Sequence, residues 1–196
     1  MGKIFFLMGK SCSGKDTIYK KLLLDDKLNL REVVGYTTRP IRSGEEEGKE
    51  YFFVTRETLT AYQEAGKVIE CRDYDTVYGI WSYFTVDDGQ IELEKGNYLY
   101  IGTLDSYLQV KKYYGSEAVV PLYVEVEDGL RLERALARER KQEVPKYEEM
   151  CRRFLADQKD FSDENIKKAG IVMRYQNNGM LEDCYESIFE AVWKQM

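Results

Sequence analysis

Residues 3–8, KIFFLM, form a short apolar run that stops at Gly9, the pattern of a strand buried on both faces of a parallel sheet. Over residues 16–24, Ile18, Leu22 and Leu23 recur at helical spacing, so strand, glycine-rich loop and helix follow in order. Residues 97–101 and 119–126 predict further buried strands, and 171–175 a weaker one. Helical patterns occupy 104–113, 128–141, 147–161 and 181–193; in the last, Leu181, Tyr185, Ile188, Phe189 and Val192 make one apolar stripe, which predicts a core-facing helix. Strands alternating with helices predict an α/β protein with a parallel sheet covered on both faces.

Two stretches break that rhythm. Residues 35–90 are rich in Tyr, Phe and Thr, with turn signals such as Ser43-Gly44 and short strand-like runs at 51–54 and 67–71; they predict an insertion of mixed, largely antiparallel structure. Residues 131–153 are densely charged, with Arg131, Arg134, Arg138, Arg140, Arg152 and Arg153 around a break at Pro145.

Composition narrows the chemistry. A chain of 196 residues with 43% hydrophobic and 33% charged residues is long enough for one domain with a real core. Its net charge of −6 argues against nucleic acid as a partner. There is no histidine, and Cys12, Cys71, Cys151 and Cys184 form no C-x-x-C pair, which argues against zinc and against imidazole catalysis. Residues 5–8 are too short an apolar run for a signal peptide or a membrane span, so the expectation is a cytoplasmic protein with no membrane partner.

The loop after the first strand reads Gly9-Lys10-Ser11-Cys12-Ser13-Gly14-Lys15-Asp16-Thr17. Glycines at this spacing let backbone N–H groups converge on phosphate oxygens, and the lysine meets the outer phosphates of a nucleoside triphosphate. A nucleoside triphosphate with Mg²⁺ is therefore expected at this loop. The position after the lysine normally offers a hydroxyl to the metal; here it is Asp16, whose carboxylate is an oxygen donor suited to Mg²⁺. Thr17 lies one residue on, rotated by about 100° in a helix, so Asp16 is the better metal candidate.

A second informative segment, YTTRPIRSGEEEGKEYFF, spans residues 36–53. Arg39 and Arg42 with the Tyr51 hydroxyl would make a clamp for a phosphate dianion; a hairpin with solvated charges is the other reading of the same residues. Taken with the phosphate loop, the run Thr37-Thr38-Arg39-Pro40-x-Arg42-x-Gly44-Glu45, Gly48-x-x-Tyr51, and Glu70 followed by Tyr78-Gly79, the chain resembles the guanylate kinase family over nearly its whole length. The resemblance implies a P-loop NTPase-type parallel sheet flanked by helices in a single domain. Its core would be 1–34, 91–127 and 161–196, with a nucleoside-monophosphate-binding insertion at 35–90 and a helical lid at 128–160. It implies phosphoryl transfer from ATP to GMP or dGMP by a monomer or homodimer. Arg39, Arg42, Tyr51 and Tyr78 would hold the acceptor's phosphate, with Glu45 in the same run, and Glu70 would take the N1–H and amino group of guanine. Lys15 would act in transfer, with Arg138 and Arg153 from the lid and Arg140 and Arg152 beside them. Asn177 or Asn178 resembles an asparagine on the adenine side.

Departures from the family pattern concentrate where the base is read. Gly35 stands where a serine is common, Ile80 where a Ser or Thr follows Tyr-Gly, and the spacing from Glu70 to Tyr78 is one residue short. Gly102-Thr103-Leu104-Asp105 replaces an Asp-rich strand ending. Two alternatives stay open: a kinase of the same fold acting on another acceptor such as ribose 1,5-bisphosphate, whose kinases also carry Asp after the loop lysine, and a non-catalytic guanylate-kinase-like binding module.

Overall fold

The computed structural model describes residues 1–76 and 79–196. The chain runs β1 (Ile4–Met8), α1 (Lys15–Leu23), β2 (Arg31–Glu32), β3 (Tyr36–Thr37), β4 (Phe52–Phe53), α2 (Arg56–Glu64), β5 (Val68–Thr76), β6 (Gly79–Val86) and β7 (Tyr98–Gly102). It continues through α3 (Leu104–Tyr114), β8 (Val119–Glu125), α4 (Asp128–Glu139), α5 (Tyr147–Asp160), α6 (Asp163–Lys168), β9 (Arg174–Gln176) and α7 (Leu181–Trp193).

All five side chains of β1 are fully buried. Alternation along the strand sends Ile4, Phe6 and Met8 to one face, among Tyr98, Tyr100, Tyr107 and Val119, and Phe5 and Leu7 to the other, among Ile18, Leu22, Leu122 and Ile188. A strand apolar on both sides is stable only in the middle of a covered sheet. It lies there: the order is β2-β7-β1-β8-β9, and every pairing is parallel. α3 and α6 cover the first face and α1 and α7 the second. In α7 the buried residues Cys184, Ile188 and Val192 fall four apart, as the stripe predicts.

The segment 35–90 builds a separate four-stranded sheet, β4-β3-β6-β5, antiparallel except for the β3–β4 pair. Its own small core is Tyr36, Leu59, Phe84 and Val86. Helix α2 inside this segment is not foreshadowed by periodicity, because Leu59 is its one buried residue; its start is secured by Thr55, whose hydroxyl accepts from the Thr58 amide. The weaker strand expected at 171–175 forms instead at Arg174–Gln176. Ile171 packs into the core just after α6 while Val172 and Met173 face solvent, and the strand begins at Arg174, pairing with Tyr123, Val124 and Glu125 of β8.

Ile188→Ala is expected to lower stability by about 2–5 kcal/mol, since the site cannot collapse fully around the lost atoms. Leu155→Ala, at a position 69% exposed, is expected to stay within about 0.5 kcal/mol of the parent. Urea unfolding of the two variants checks both.

Candidate active site

β1 ends at Met8 and the chain turns tightly towards α1. A Cβ on Gly9 would lie 2.6 Å from the Val124 carbonyl oxygen and 2.8 Å from Ser13 Oγ, so only glycine fits there. Gly14 has φ +87° and caps α1; a Cβ there would sit 2.5 Å from Asn177 Nδ2. Cys12 takes a left-handed φ of +64°, at a cost of about 1–2 kcal/mol for a residue with a side chain. No side chain caps α1; the Thr17 amide turns back to the Gly14 carbonyl at 3.1 Å, which leaves the Lys15 and Asp16 amides for an anion at the positive end of the helix dipole. Lys15 is mostly covered, its Nζ 3.6 Å from Asp16 Oδ2, while the Asp16 side chain is 79% exposed. Thr17 is exposed as well.

Asn177 holds the loop from beneath. It is buried, its Nδ2 donates to the Ser13 carbonyl at 2.8 Å, and its backbone N–H donates to Glu125 O at 2.8 Å. Asn178 instead accepts from the Glu127 amide at 2.8 Å.

The two arginine-bearing helices pack on the same loop. Asp157 of α5 accepts the Ser11 amide at 2.7 Å and an Arg131 Nη1 hydrogen at 3.1 Å. Arg131, 1% exposed, also donates to the Ser11 carbonyl and to Asp128, and its guanidinium lies 4.1 Å from the Phe154 ring centre. Lys10 donates to Gln158 and lies 3.4 Å from Asp128. Although burial would raise the Asp128 carboxyl, hydrogen bonds from Gln158 and Arg131 hold it below the usual range. Of the predicted transfer residues, Arg153 donates to Ser11 Oγ at 3.1 Å, and Arg138 joins it in a small cleft with Ser11, Cys12, Arg131 and Phe154. Arg152 pairs with Glu149 on the helix surface, and Arg140 is exposed. Sequence reasoning passed over Asp157 and Gln158; their placement three and four residues after Phe154 on the loop-facing side of α5 is the only signal they carry.

On the second sheet Arg39 is almost wholly covered. Its Nη1 and Nη2 donate to Glu45 at 2.8 and 2.9 Å, its Nε to the Tyr83 hydroxyl at 3.1 Å, and its Nη1 also to Pro40 O at 2.8 Å. Phe53 and Tyr51 flank the guanidinium at 5.4 and 5.7 Å. Arg42 is exposed; its backbone amide, not its side chain, meets Glu45, at 2.8 Å. The Tyr51 phenol is pushed up by burial and by neighbouring Tyr83. Tyr78 lies outside the described residues. Gly35 faces Tyr51, and a Cβ there would make only ordinary contacts, so nothing steric demands glycine.

Glu70 is held inside the protein. A β-bulge between Val68 and Glu70 turns two consecutive residues, Ile69 and Glu70, into the interior. Glu70 Oε1 accepts from Tyr100 OH at 2.9 Å and Thr85 Oγ1 at 3.0 Å, and Oε2 from Arg72 Nε at 3.0 Å; its side chain has no exposed surface. Burial alone would lower the Arg72 pKa, but the Glu70 charge overrides it and raises it. Arg72 keeps 17% of its side chain exposed and reaches towards Thr103 Oγ1 at 3.5 Å. Ile80 is half exposed, and Asp105 accepts from Gln109 on the surface of α3.

A parallel sheet whose central strand runs through a glycine loop into a helix N-terminus, with a second sheet carrying a tyrosine-flanked arginine, defines an α/β fold of the P-loop NTPase kind. The guanylate kinase family model matches residues 1–96. Human guanylate kinase is 31% identical over 192 residues, covering 97% of this chain and 92% of the human protein. The guanylate kinase of Porphyromonas gingivalis is 31% identical over 121 residues, a match that spans 63% of that protein. Among solved structures, guanylate kinase from Anaplasma phagocytophilum superposes with a TM-score of 0.63 at 24% identity, over all of this chain and 87% of that one. The chain belongs to the guanylate kinase family, and so to the nucleoside monophosphate kinases.

The hydrogen bonds from Arg39 hold the Glu45 carboxyl below its ordinary value of 4.5. A depressed folded pKa means stability that is present above the unfolded value and lost as pH falls through the folded one. Between pH 6 and pH 3, urea midpoints are therefore expected to fall more for the parent than for Glu45→Gln.

Proposed function

We propose that the protein transfers the γ-phosphoryl group of ATP to a nucleoside monophosphate, with GMP and dGMP as first acceptors. The observation that carries this reading is the arrangement around the loop: a helix N-terminus with no side-chain cap, the mostly covered Lys15, and Arg153 bonded to Ser11 with Arg138 beside it. Phosphoryl transfer needs positioned positive charge more than a protein acid or base, and these groups supply it. In this reading residues 9–17 cradle the triphosphate. Lys15 meets the transferred group, and Arg138 and Arg153 neutralise the charge that develops between donor and acceptor. Residues 128–160 are the lid and 35–90 the acceptor-binding insertion on a core of 1–34, 91–127 and 161–196. There Arg42, the remaining Nη2 hydrogen of Arg39, and the hydroxyls of Tyr51 and Tyr78 take the acceptor's phosphate. Glu45 orients Arg39.

The exposed Asp16 carboxylate beside Lys15 is an oxygen donor at the position that suits a hard cation, so the residues present fit Mg²⁺. Bound there, the ion would offset charge on two phosphates of ATP. Small-molecule nucleotide substrates, a cytoplasmic setting and a monomeric or homodimeric state belong to the same reading. No described helix is long and apolar enough to cross a membrane.

A second acceptor, ribose 1,5-bisphosphate, gains support from one observation: Glu70 spends both carboxylate oxygens inside the protein. An ADP-release assay with ATP, Mg²⁺ and a panel of GMP, dGMP, AMP, CMP, UMP and ribose 1,5-bisphosphate separates the readings. Turnover of a purine monophosphate supports the first, and turnover of the sugar bisphosphate alone the second. A chain that neither binds ATP nor turns over any acceptor would be a binding module.

Lys15→Met is expected to lower kcat on the order of 10²–10³-fold, by loss of a preorganised cation, with the circular dichroism spectrum unchanged. Asp16→Ala is expected to leave the fold intact and raise the Mg²⁺ concentration needed for half-maximal rate; an unmoved requirement would place Asp16 away from the metal.

A further inference from the structure

The edge that would read the acceptor's base is cationic in this chain. Glu70 has no exposed surface, and each carboxylate oxygen already accepts a hydrogen bond from Tyr100, Thr85 or Arg72. Arg72 meets Glu70 side-on, through Nε at 3.0 Å and Nη2 at 3.4 Å. A guanidinium paired side-on keeps its opposite end, the second Nη2 hydrogen and Nη1, for another partner. The bond from Nη1 to Thr103 is long, at 3.5 Å, and so competes weakly for that end.

The position of Arg72 suits a ligand. It stands on β5 directly opposite Tyr83, whose hydroxyl fixes Arg39 of the phosphate clamp. It reaches Thr103 just past the carboxyl end of β7, the end of a parallel sheet where ligands of α/β proteins bind. A carboxylate offers two acceptors, whereas the end of a guanidinium offers two parallel donors. The partner it selects must present two adjacent acceptors. O6 and N7 of a 6-oxopurine do so, and that pairing is the commonest specific arginine contact with a base. Adenine offers N7 beside a donor amino group and fails the match. Ile80 supplies no hydroxyl that could take over the reading.

We propose that Arg72 determines acceptor selectivity by donating to O6 and N7 of a 6-oxopurine nucleoside monophosphate, so that the 2-amino group of guanine is not required. Inosine monophosphate is then an acceptor comparable with GMP. This inference rests on the phosphoryl-transfer reading above.

Steady-state kcat/KM of the unaltered protein for GMP, IMP, 7-deaza-GMP, AMP and CMP tests it. IMP is expected within about tenfold of GMP, and 7-deaza-GMP, which lacks the N7 acceptor, on the order of 10- to 100-fold below GMP. AMP and CMP are expected to fall below IMP. Arg72→Lys keeps the charge beside Glu70 but loses the fork, and is expected to bring GMP and 7-deaza-GMP together. A preference for GMP over IMP of a thousandfold or more, or indifference to N7, overturns the inference while leaving the kinase reading in place. ATP binding with no turnover of any nucleotide removes that reading, and this inference with it.

Discussion

The candidate site depends on how closely the loop after β1 lies against the strands and side chains around it. Gly9 leaves no gap above the Val124 carbonyl, and Gly14 none above the Asn177 amide. These two approaches set the path of residues 9–14 and aim the start of α1 outward. β1 can hold its end of that arrangement because it is fully buried between β7 and β8, with a helical layer on each face. Packing at interior density transmits position with little slack, so the loop inherits the rigidity of the core.

Charge is the second theme. Arg131, Asp128, Asp157, Lys10 and Gln158 join α4 and α5 to the loop through one connected set of polar contacts. Burying Arg131 is tolerable only because its donors are matched, and removal of either carboxylate would strand a charge in a poorly hydrated place. On the second sheet the same rule governs Arg39 with Glu45 and Arg72 with Glu70. In each pair a carboxylate fixes one edge of a guanidinium and limits which of its donors remain for a substrate.

Much of this was legible from residue order. The apolar run before Gly9, the glycine spacing, the stripe of α7 and the Arg39 to Glu45 run are local patterns, and the resemblance built on them led to the right family. The helix at Arg56–Glu64 was not legible, because a helix with one buried residue leaves no periodic trace. Strand β9 starts a few residues later than the pattern suggests, because Val172 and Met173 turn to solvent before the chain reaches β8.

The sequence alone determined the alternation of strand and helix, the buried central strand and the phosphate loop, since each follows from spacing within a dozen residues. Only the tertiary structure decided what the key side chains touch. A one-residue bulge in β5 turned Glu70 inward, and long-range pairing then gave it to Tyr100 and Thr85 beside its strand neighbour Arg72. Docking of α5 gave the Ser11 amide to Asp157, and the return of the chain after β9 put Asn177 under the loop. Contacts between residues 15 to 164 positions apart have no local signature, because they are settled by which surfaces the packed core brings together.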